Sequence, residues 1–401
     1  MPPPAPATPP ARRTAKVVLR IVIYFAAAWG IVASLVNGLF PGAPFVVLAL
    51  GVYMTVPVLV FARWRGWPFY PGAAFRLLVV RPFWYTQILL PLVSVSGLIG
   101  IAIGLAFDYP VLVGRIFAGP TLAVATSVLI IGYLGSRRLV TRQVEFGVPN
   151  LPASFDGLRI VQLCDLHVGP HTPRSFLDRV MRATQSLSPD LIAVTGDLVD
   201  DRAEDVAVYG KIFGALQAPL GVYVIPGNHD VYAGWEAIER AIRAAGLGTV
   251  LVNEASLLQR GTDTIALIGT GDPAGGGRGA SRTAPDIERA LAQVPADATI
   301  IAFAHNPALW PSLAARGVAL TLSGHTHGGQ FALPKLGWSL AYPFLENAMA
   351  AHIDRDALLY VSPGTGYWGI PFRIGPRPEV TLVTLRRATT AGALVHPADA
   401  A

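Results

Sequence analysis

Four apolar stretches crowd the first third of this 401-residue chain, running from Ile21 to Phe40, Phe45 to Ala62, Gln87 to Phe107 and Ile116 to Leu134. Each is near the roughly 20 residues that a helix needs to cross hydrocarbon, and backbone in lipid must satisfy its own hydrogen bonds, so such runs are expected to fold as membrane helices. The second, short and holding Pro57, reads either as a span or as a re-entrant segment. A composition of 52% hydrophobic and only 14% charged residues is too apolar for an ordinary soluble protein. Before these stretches, MPPPAPATPP has nothing to bury and reads as a disordered, polyproline-like tail.

The cations orient the spans. Arg12, Arg13, Lys16 and Arg20 precede the first stretch, Arg63, Arg65, Arg76 and Arg81 separate the second from the third, and Arg137, Arg138 and Arg142 follow the fourth. The first connection carries no charge and the third only Asp108 and Arg115. Positive residues stay inside, which places both termini in the cytoplasm and makes the chain a multi-pass protein of the cell inner membrane. The competing reading takes Arg12-Arg13 and the run after it as an export signal cleaved near Ala26 to Ala28; its apolar core is too short, and cleavage there would leave the later helices in place.

The formal charge of +6 suggests a nucleic-acid partner only until it is divided. Residues 1–150 carry 12 Lys+Arg against 2 Asp+Glu, whereas the remainder carries 19 against 23. The basic half is the apolar half, so the charge reports membrane orientation, and no nucleic acid is expected. The lone cysteine, Cys164, excludes an internal disulfide and reads as packed at a strand end.

After Pro149 the pattern changes to short β-branched runs alternating with charged helical stretches, the mark of an α/β domain. Strands are expected at 159–164, 191–195, 222–225, 265–268, 300–304, 319–322, 358–361 and 380–385. Five of them run into CDLH, TGD, PGNHD, AHNP and SGHTHGG. Ligands of open α/β sheets collect beyond the carboxyl ends of strands, so these carboxylates, carboxamides and imidazoles are expected on one rim. Such donors suit two divalent ions such as Mn, Fe, Zn or Co, and the absence of thiolate clusters argues against structural zinc. Asp165, His167, Asp197 and His327 would serve one ion and Asp197, Asn228, His305 and His325 the other, with Asp197 bridging cations about 3.5–4 Å apart.

In this order, Asp165/His167, Gly196-Asp197, Gly227 to Asp230, His305 and Gly324 to His327 resemble the calcineurin-like metallophosphoesterase superfamily, and AHNP, SGHTHGGQ and SPGTGYWGIPFRIGPRPEVTLVTL resemble its bacterial, often membrane-associated branch. The resemblance implies a four-layer α/β/β/α sandwich preceded here by an α-helical membrane domain of about four helices. It also implies a metal-dependent hydrolase in which His229 contacts phosphate and protonates the leaving oxygen rather than binding metal. Asp230 is expected to orient that ring. Attack would be in line, by metal-bound hydroxide, without a covalent enzyme intermediate.

The expected organisation is a tail at 1–15, a transmembrane domain at 16–136, a linker at 137–157, the catalytic domain at 158–387 and a flexible tail at 388–401. Tethering restricts the site to molecules at the bilayer surface, which favours a lipid-linked phosphodiester or pyrophosphate over a soluble nucleotide or other small phosphorylated molecule. Resemblance also brings in enzymes that split the pyrophosphate of a nucleotide-linked acylated sugar. The alternative of another class is a noncatalytic metal- or phosphate-binding module regulating a membrane transporter or sensor; against it, intramembrane charges are nearly absent and no ligand is missing. His171, His352 and His396 read as surface residues, with substrate contact the alternative for His171, which lies close after CDLH. Arg373 and Arg377 read as solvated or structural side chains, or as binders of a second phosphate or headgroup. The Gly-rich segment 271–281 lacks the Lys-Ser/Thr of a phosphate-binding loop and reads as a flap or plain loop.

Overall fold

The computed structural model describes residues 11–40, 45, 49–53, 76–169, 172–278, 282–333, 338–339, 350–396 and 399–400. The Pro-rich start of the chain, most of the second apolar stretch, Arg63, Arg65 and His171 lie outside these residues. The chain divides into two units, Met1–Ile130 and Ile131–Ala401.

In the first unit, α1 spans Ala11–Leu39, α2 spans Arg81–Leu105 after a π-helical turn at Arg76–Val80, and α3 spans Pro110–Ser136, its last residues belonging to the second unit. Among the described residues two helices, Leu78–Leu105 and Pro110–Ser136, are long and apolar enough to cross a membrane, and the apolar run Ile23–Leu39 is shorter. Among the described residues the third and fourth stretches meet the expectation of spans, the first holds a shorter apolar run, and most of the second lies outside the described residues. Large apolar side chains such as Leu92, Val95, Ile99, Leu122 and Val124 are exposed, unlike those of a soluble core helix. Gly100 lets α2 approach α3 closely, since a Cβ there would lie 2.7 Å from the Val113 carbonyl oxygen. Ser96 and Thr121 hydroxyls meet across the same pair at 2.8 Å, and Arg115 donates twice to the Leu39 carbonyl, satisfying the end of α1.

The second unit opens with β1 (Val140–Pro149), β2 (Arg159–Leu163), α4 (Arg174–Ser186), β3 (Leu191–Thr195), α5 (Glu204–Phe213) and β4 (Val222–Ile225). Next come α6 (Asn228–Ala233), α7 (Trp235–Ala244), β5 (Thr249–Val250), β6 (Glu254–Arg260), β7 (Asp263–Gly269), α8 (Ile287–Leu291), β8 (Thr299–Phe303), α9 (Trp310–Ala314) and β9 (Leu320–Ser323). A ribbon of β10 (Ala332–Leu333) and β11 (Trp338–Ser339) precedes β12 (Ala350–Asp354), β13 (Ala357–Val361), β14 (Glu379–Ala388), β15 (Gly392–Val395) and β16 (Asp399–Ala400).

Two sheets result. One runs β15-β1-β14-β2-β3-β4-β5, with β16 also on β1, and the other runs β12-β13-β9-β8-β7-β6. Phe146, Ile160, Leu191 and Tyr223 of the first pack on Ile265, Phe303, Leu322 and Tyr360 of the second. The outer face of the first sheet is covered by α4, α5 and α7 through Leu177, Val180, Phe213 and Ile238, and that of the second by α8 and α9 through Ala290 and Leu313. This is the expected α/β/β/α layering.

Two expectations about boundaries are corrected. The segment taken as a linker holds β1, which pairs in parallel with β14 from Val140↔Glu379 to Pro149↔Ala388. Its Val144, Phe146 and Val148 are fully buried at every second position, which is what makes it a strand. The segment taken as a flexible tail contains β15, antiparallel to β1 from Val144↔Val395 to Gly147↔Gly392.

Candidate metal centre

The parallel strands β2, β3 and β4 of one sheet and β8 and β9 of the other each release a chemically active residue two or three positions past the carboxyl end. The two rims are pinned together by Gln162, whose amide donates to the Thr195 hydroxyl (2.8 Å) and to the Ser323 carbonyl (2.9 Å). The loops that follow bend sharply: Asp165, His167, Asp197, His325 and His327 all hold φ between 43° and 71°. Where Gly227 passes Asp197, a Cβ would collide with the carboxylate and with the Asp197 backbone.

These bends create two sets of donors. In the first, His167 Nε2 and His327 Nε2 face each other at 3.0 Å, His327 Nε2 lies 3.3 Å from Asp165 Oδ1, and His167 Nε2 lies 3.5 Å from Asp197 Oδ2. In the second, His325 Nδ1 is 2.7 Å from Asn228 Oδ1, and His305 Nε2 is 3.3 Å from the same Asp197 Oδ2. The backbone N–H of His229 holds the other oxygen, Oδ1, at 2.8 Å, so Oδ2 is the atom presented to both sets.

The donors fit metal. Ligands about 2.0–2.2 Å from one ion stand about 3–3.5 Å apart, as these pairs do except His325 and Asn228, which at 2.7 Å are within hydrogen-bond distance of each other. His305 Nε2 is buried without a hydrogen-bond partner, while its Nδ1 donates to the Thr195 carbonyl at 2.9 Å, leaving the Nε2 lone pair for a cation. The seven residues expected as ligands lie in these two groups of contacts.

Residues 158–329 match the family of calcineurin-like phosphoesterases. The chain carries a calcineurin-like phosphoesterase domain. It is 34% identical over 280 residues to "Transmembrane protein with metallophosphoesterase domain" of Bos taurus, covering 67% of this chain and 63% of that one. The protein of the same description from Danio rerio is 35% identical over 254 residues, 61% of this chain and 57% of its own. An uncharacterised metallophosphoesterase of Helicobacter pylori is 34% identical over 229 residues, 57% of this chain and 60% of that one. The chain thus spans about three fifths of the length of these relatives.

Charge in the candidate site follows from burial and neighbours. Burial disfavours the Asp197 carboxylate, yet His305, His167 and His229 hold it far below the usual range. Burial opposes a charge on His305, but Asp197 drives it well above the ordinary imidazole value; on His167, Asp200, Asp197 and Asp165 likewise outweigh burial and raise it. Burial and His305 push His325 down to about 4, and burial, His167 and Arg373 push His327 well below its usual value. Burial and adjacent Asp165 push the Cys164 thiol up to about 12; its sulfur donates to the Thr195 carbonyl, which makes it a packed residue and not a ligand.

The expected role of Asp230 is corrected. Its carboxylate accepts from the backbone N–H groups of Leu198, Val199 and Gly227, capping α6, and burial together with Asp197 pushes it up to about 6. The His229 ring is oriented by Asp200 instead, whose carbonyl accepts from Nδ1 at 2.9 Å. Asp200 also sets its carboxylate 3.4 Å from His167 Nδ1, an ion-pair approach without a hydrogen bond. The acidic pair closing GDLVDD was the available signal for it.

Of the two roles expected for Arg373, the structure shows the structural one. It is 1% exposed and donates to His327 Nδ1 (3.0 Å), Pro363 O (2.6 Å) and Gly366 O (2.6 Å), and its backbone N–H donates to Gly132 O in α3 (2.8 Å). It braces a ligand and has no face for a second phosphate, whereas Arg377 is exposed. The described part of the Gly-rich segment is a 3-10 turn at Pro273–Arg278, and Asn253 accepts from Gly271 N–H and donates to the Arg282 and Ala284 carbonyls beside it.

Proposed function

We propose that this protein is a membrane-anchored, metal-dependent phosphoesterase that hydrolyses a phosphodiester or pyrophosphate bond, its substrate being lipid-linked and met at the cytoplasmic face. The carrying observation is the convergence of two donor sets on one oxygen, Asp197 Oδ2, with His229 beside them. When bound, two divalent ions such as Mn, Fe, Zn or Co would neutralise nonbridging oxygens and bring the pKa of a coordinated water toward ~7.

The chain's own residues supply the rest. Asp197 is held by the His229 N–H, Asp165 accepts from the His325 N–H at 3.1 Å, and Arg373 fixes the His327 ring, so the donors are arranged before any ligand arrives. His229 is half-buried at the mouth, and with Nδ1–H engaged by the Asp200 carbonyl its Nε2 is left to carry a proton to the departing oxygen. The membrane reading is supported by the exposed apolar surfaces of α2 and α3 and by the two vertebrate relatives, each named a transmembrane protein. The substrate reading rests on tethering alone.

The test uses full-length protein in detergent, stripped of metal, resupplied with Mn and assayed on bis-p-nitrophenyl phosphate and p-nitrophenyl phosphate beside Asp197→Ala. Metal-dependent turnover absent from the variant, with the diester preferred, is the expected result. No turnover with any first-row divalent ion, in protein shown to bind two ions, would remove the hydrolase.

A further inference from the structure

Two large aromatic side chains stand open beside His229. Tyr232 and Trp368 are each 53% exposed, and among the described residues of the second unit they are the exposed Tyr, Trp or Phe side chains. Both meet the same ring: the centroids of Tyr232 and Trp368 lie 5.8 and 6.1 Å from that of His229, at interplanar angles of 64° and 67°. They come from distant parts of the chain. Tyr232 follows His229 by three residues on α6, which puts the two side chains on one helical face. Trp368 arrives in the loop after β13, where Gln330 grips its backbone, accepting from its N–H at 2.9 Å and donating to its carbonyl at 3.1 Å. The main chain is thus fixed while the indole stays open.

Folding gains little from an aromatic left half in water, and the hydrogen bonds that fix Trp368 use its backbone and not its ring. Exposed Trp and Tyr clustered at a recognition site supply large, rigid contact area at little conformational cost. We propose that Tyr232 and Trp368 form an aromatic subsite for the leaving group, so that the preferred substrate carries flat or apolar carbon surface immediately beyond the scissile phosphate. The inference rests on the reading of His229 as the proton donor to the leaving oxygen, because that reading puts the leaving group against these two rings. The same chemistry is offered by the ring of a base-like group and by the hydrocarbon of a lipid.

Non-hydrolysable phosphonates test it without relying on turnover rate. Inhibition constants of methyl-, cyclohexyl- and phenylphosphonate are measured on full-length, Mn-loaded protein in detergent, with Trp368→Ala, Trp368→Phe and Tyr232→Ala alongside, metal content and near-UV dichroism serving as the check on folding. The readout is the ratio of affinities for the ring-bearing and methyl compounds. Phenylphosphonate is expected to bind about 5- to 50-fold more tightly than methylphosphonate. That ratio falls several-fold in Trp368→Ala and in Tyr232→Ala and is largely retained in Trp368→Phe. Equal gains for cyclohexyl and phenyl point to a lipid-like source, and a gain for phenyl alone to a planar one. A ratio near one in the parent protein, or one that Trp368→Ala leaves unchanged, overturns the subsite while leaving the phosphoesterase intact. Failure of methylphosphonate to bind at all overturns the phosphoryl-binding reading and the subsite with it.

Discussion

Asp165, His167, Asp197, His325 and His327 keep backbone angles that residues with a Cβ avoid, at roughly 1–2 kcal/mol each. The centre therefore holds local strain that surrounding bonds must offset, and a simple comparison exposes it. At His167 (φ 43°) both Ala and Gly remove the imidazole, but only Ala keeps the Cβ. His167→Gly is expected to be the more stable variant by roughly 1 kcal/mol in chemical denaturation, the reverse of the usual order in regular structure. If the Ala variant were the more stable one, the bend would carry no strain. A second residue-scale expectation concerns pH. In metal-free protein His305 and His167 bind protons more tightly than in the unfolded chain, so the stability they contribute is full below about pH 6.5 and is lost as pH rises through their folded values. Asp197, held low, contributes above about pH 3.9 and loses that contribution only in stronger acid. With chelator present the melting temperature is expected to fall as pH rises above about 6.5. With saturating Mn the trend reverses, because ligands must be deprotonated to bind. Identical pH trends with and without metal would mean that these imidazoles do not face the ions.

At the scale of elements, β1 decides what a minimal catalytic fragment must contain. Its buried Val140, Val144, Phe146 and Val148 are each worth roughly 1.5–3 kcal/mol, together comparable with the roughly 5–15 kcal/mol that stabilises a whole domain. A fragment of residues 158–387 is expected to be insoluble or molten, whereas residues 137–401 give dispersed amide signals by NMR; a well-folded shorter fragment would reduce β1 to decoration. Sequence and structure diverge at this scale for a physical reason. β3 and β4 fall where continuous apolar runs place them, because both faces of a central parallel strand are buried. β6 and β12 went unread because edge strands bury few side chains and EASLLQR or AAHID carries little pattern. The seven candidate ligands were legible since each follows a strand in a short motif. The roles of Gln330 and Arg373 were not, for they arise from contacts between residues far apart in the chain, and no spacing announces such contacts.

In sequence an apolar, cationic half precedes a mildly acidic one; Arg137 and Arg138 lie between the last apolar stretch and β1, and Arg142 lies within β1. If cations stay on the cytoplasmic side, protease added to intact spheroplasts is expected to spare the residues after Arg142 and to digest them in inverted vesicles. Digestion in intact spheroplasts would place the site on the opposite face. The pairing of β1 also bears on biosynthesis. β1 follows the last membrane helix directly, but its two long-run neighbours, β14 and β15, are among the last strands to be made, and its partner Glu379 lies about 240 residues after Val140. At roughly 5–20 residues per second, β1 waits about 10–50 s on the ribosome with neither neighbour available. Completion of the first sheet is thus timed to the end of translation, and a chain truncated before β14 is released with β1 lacking both of these neighbours.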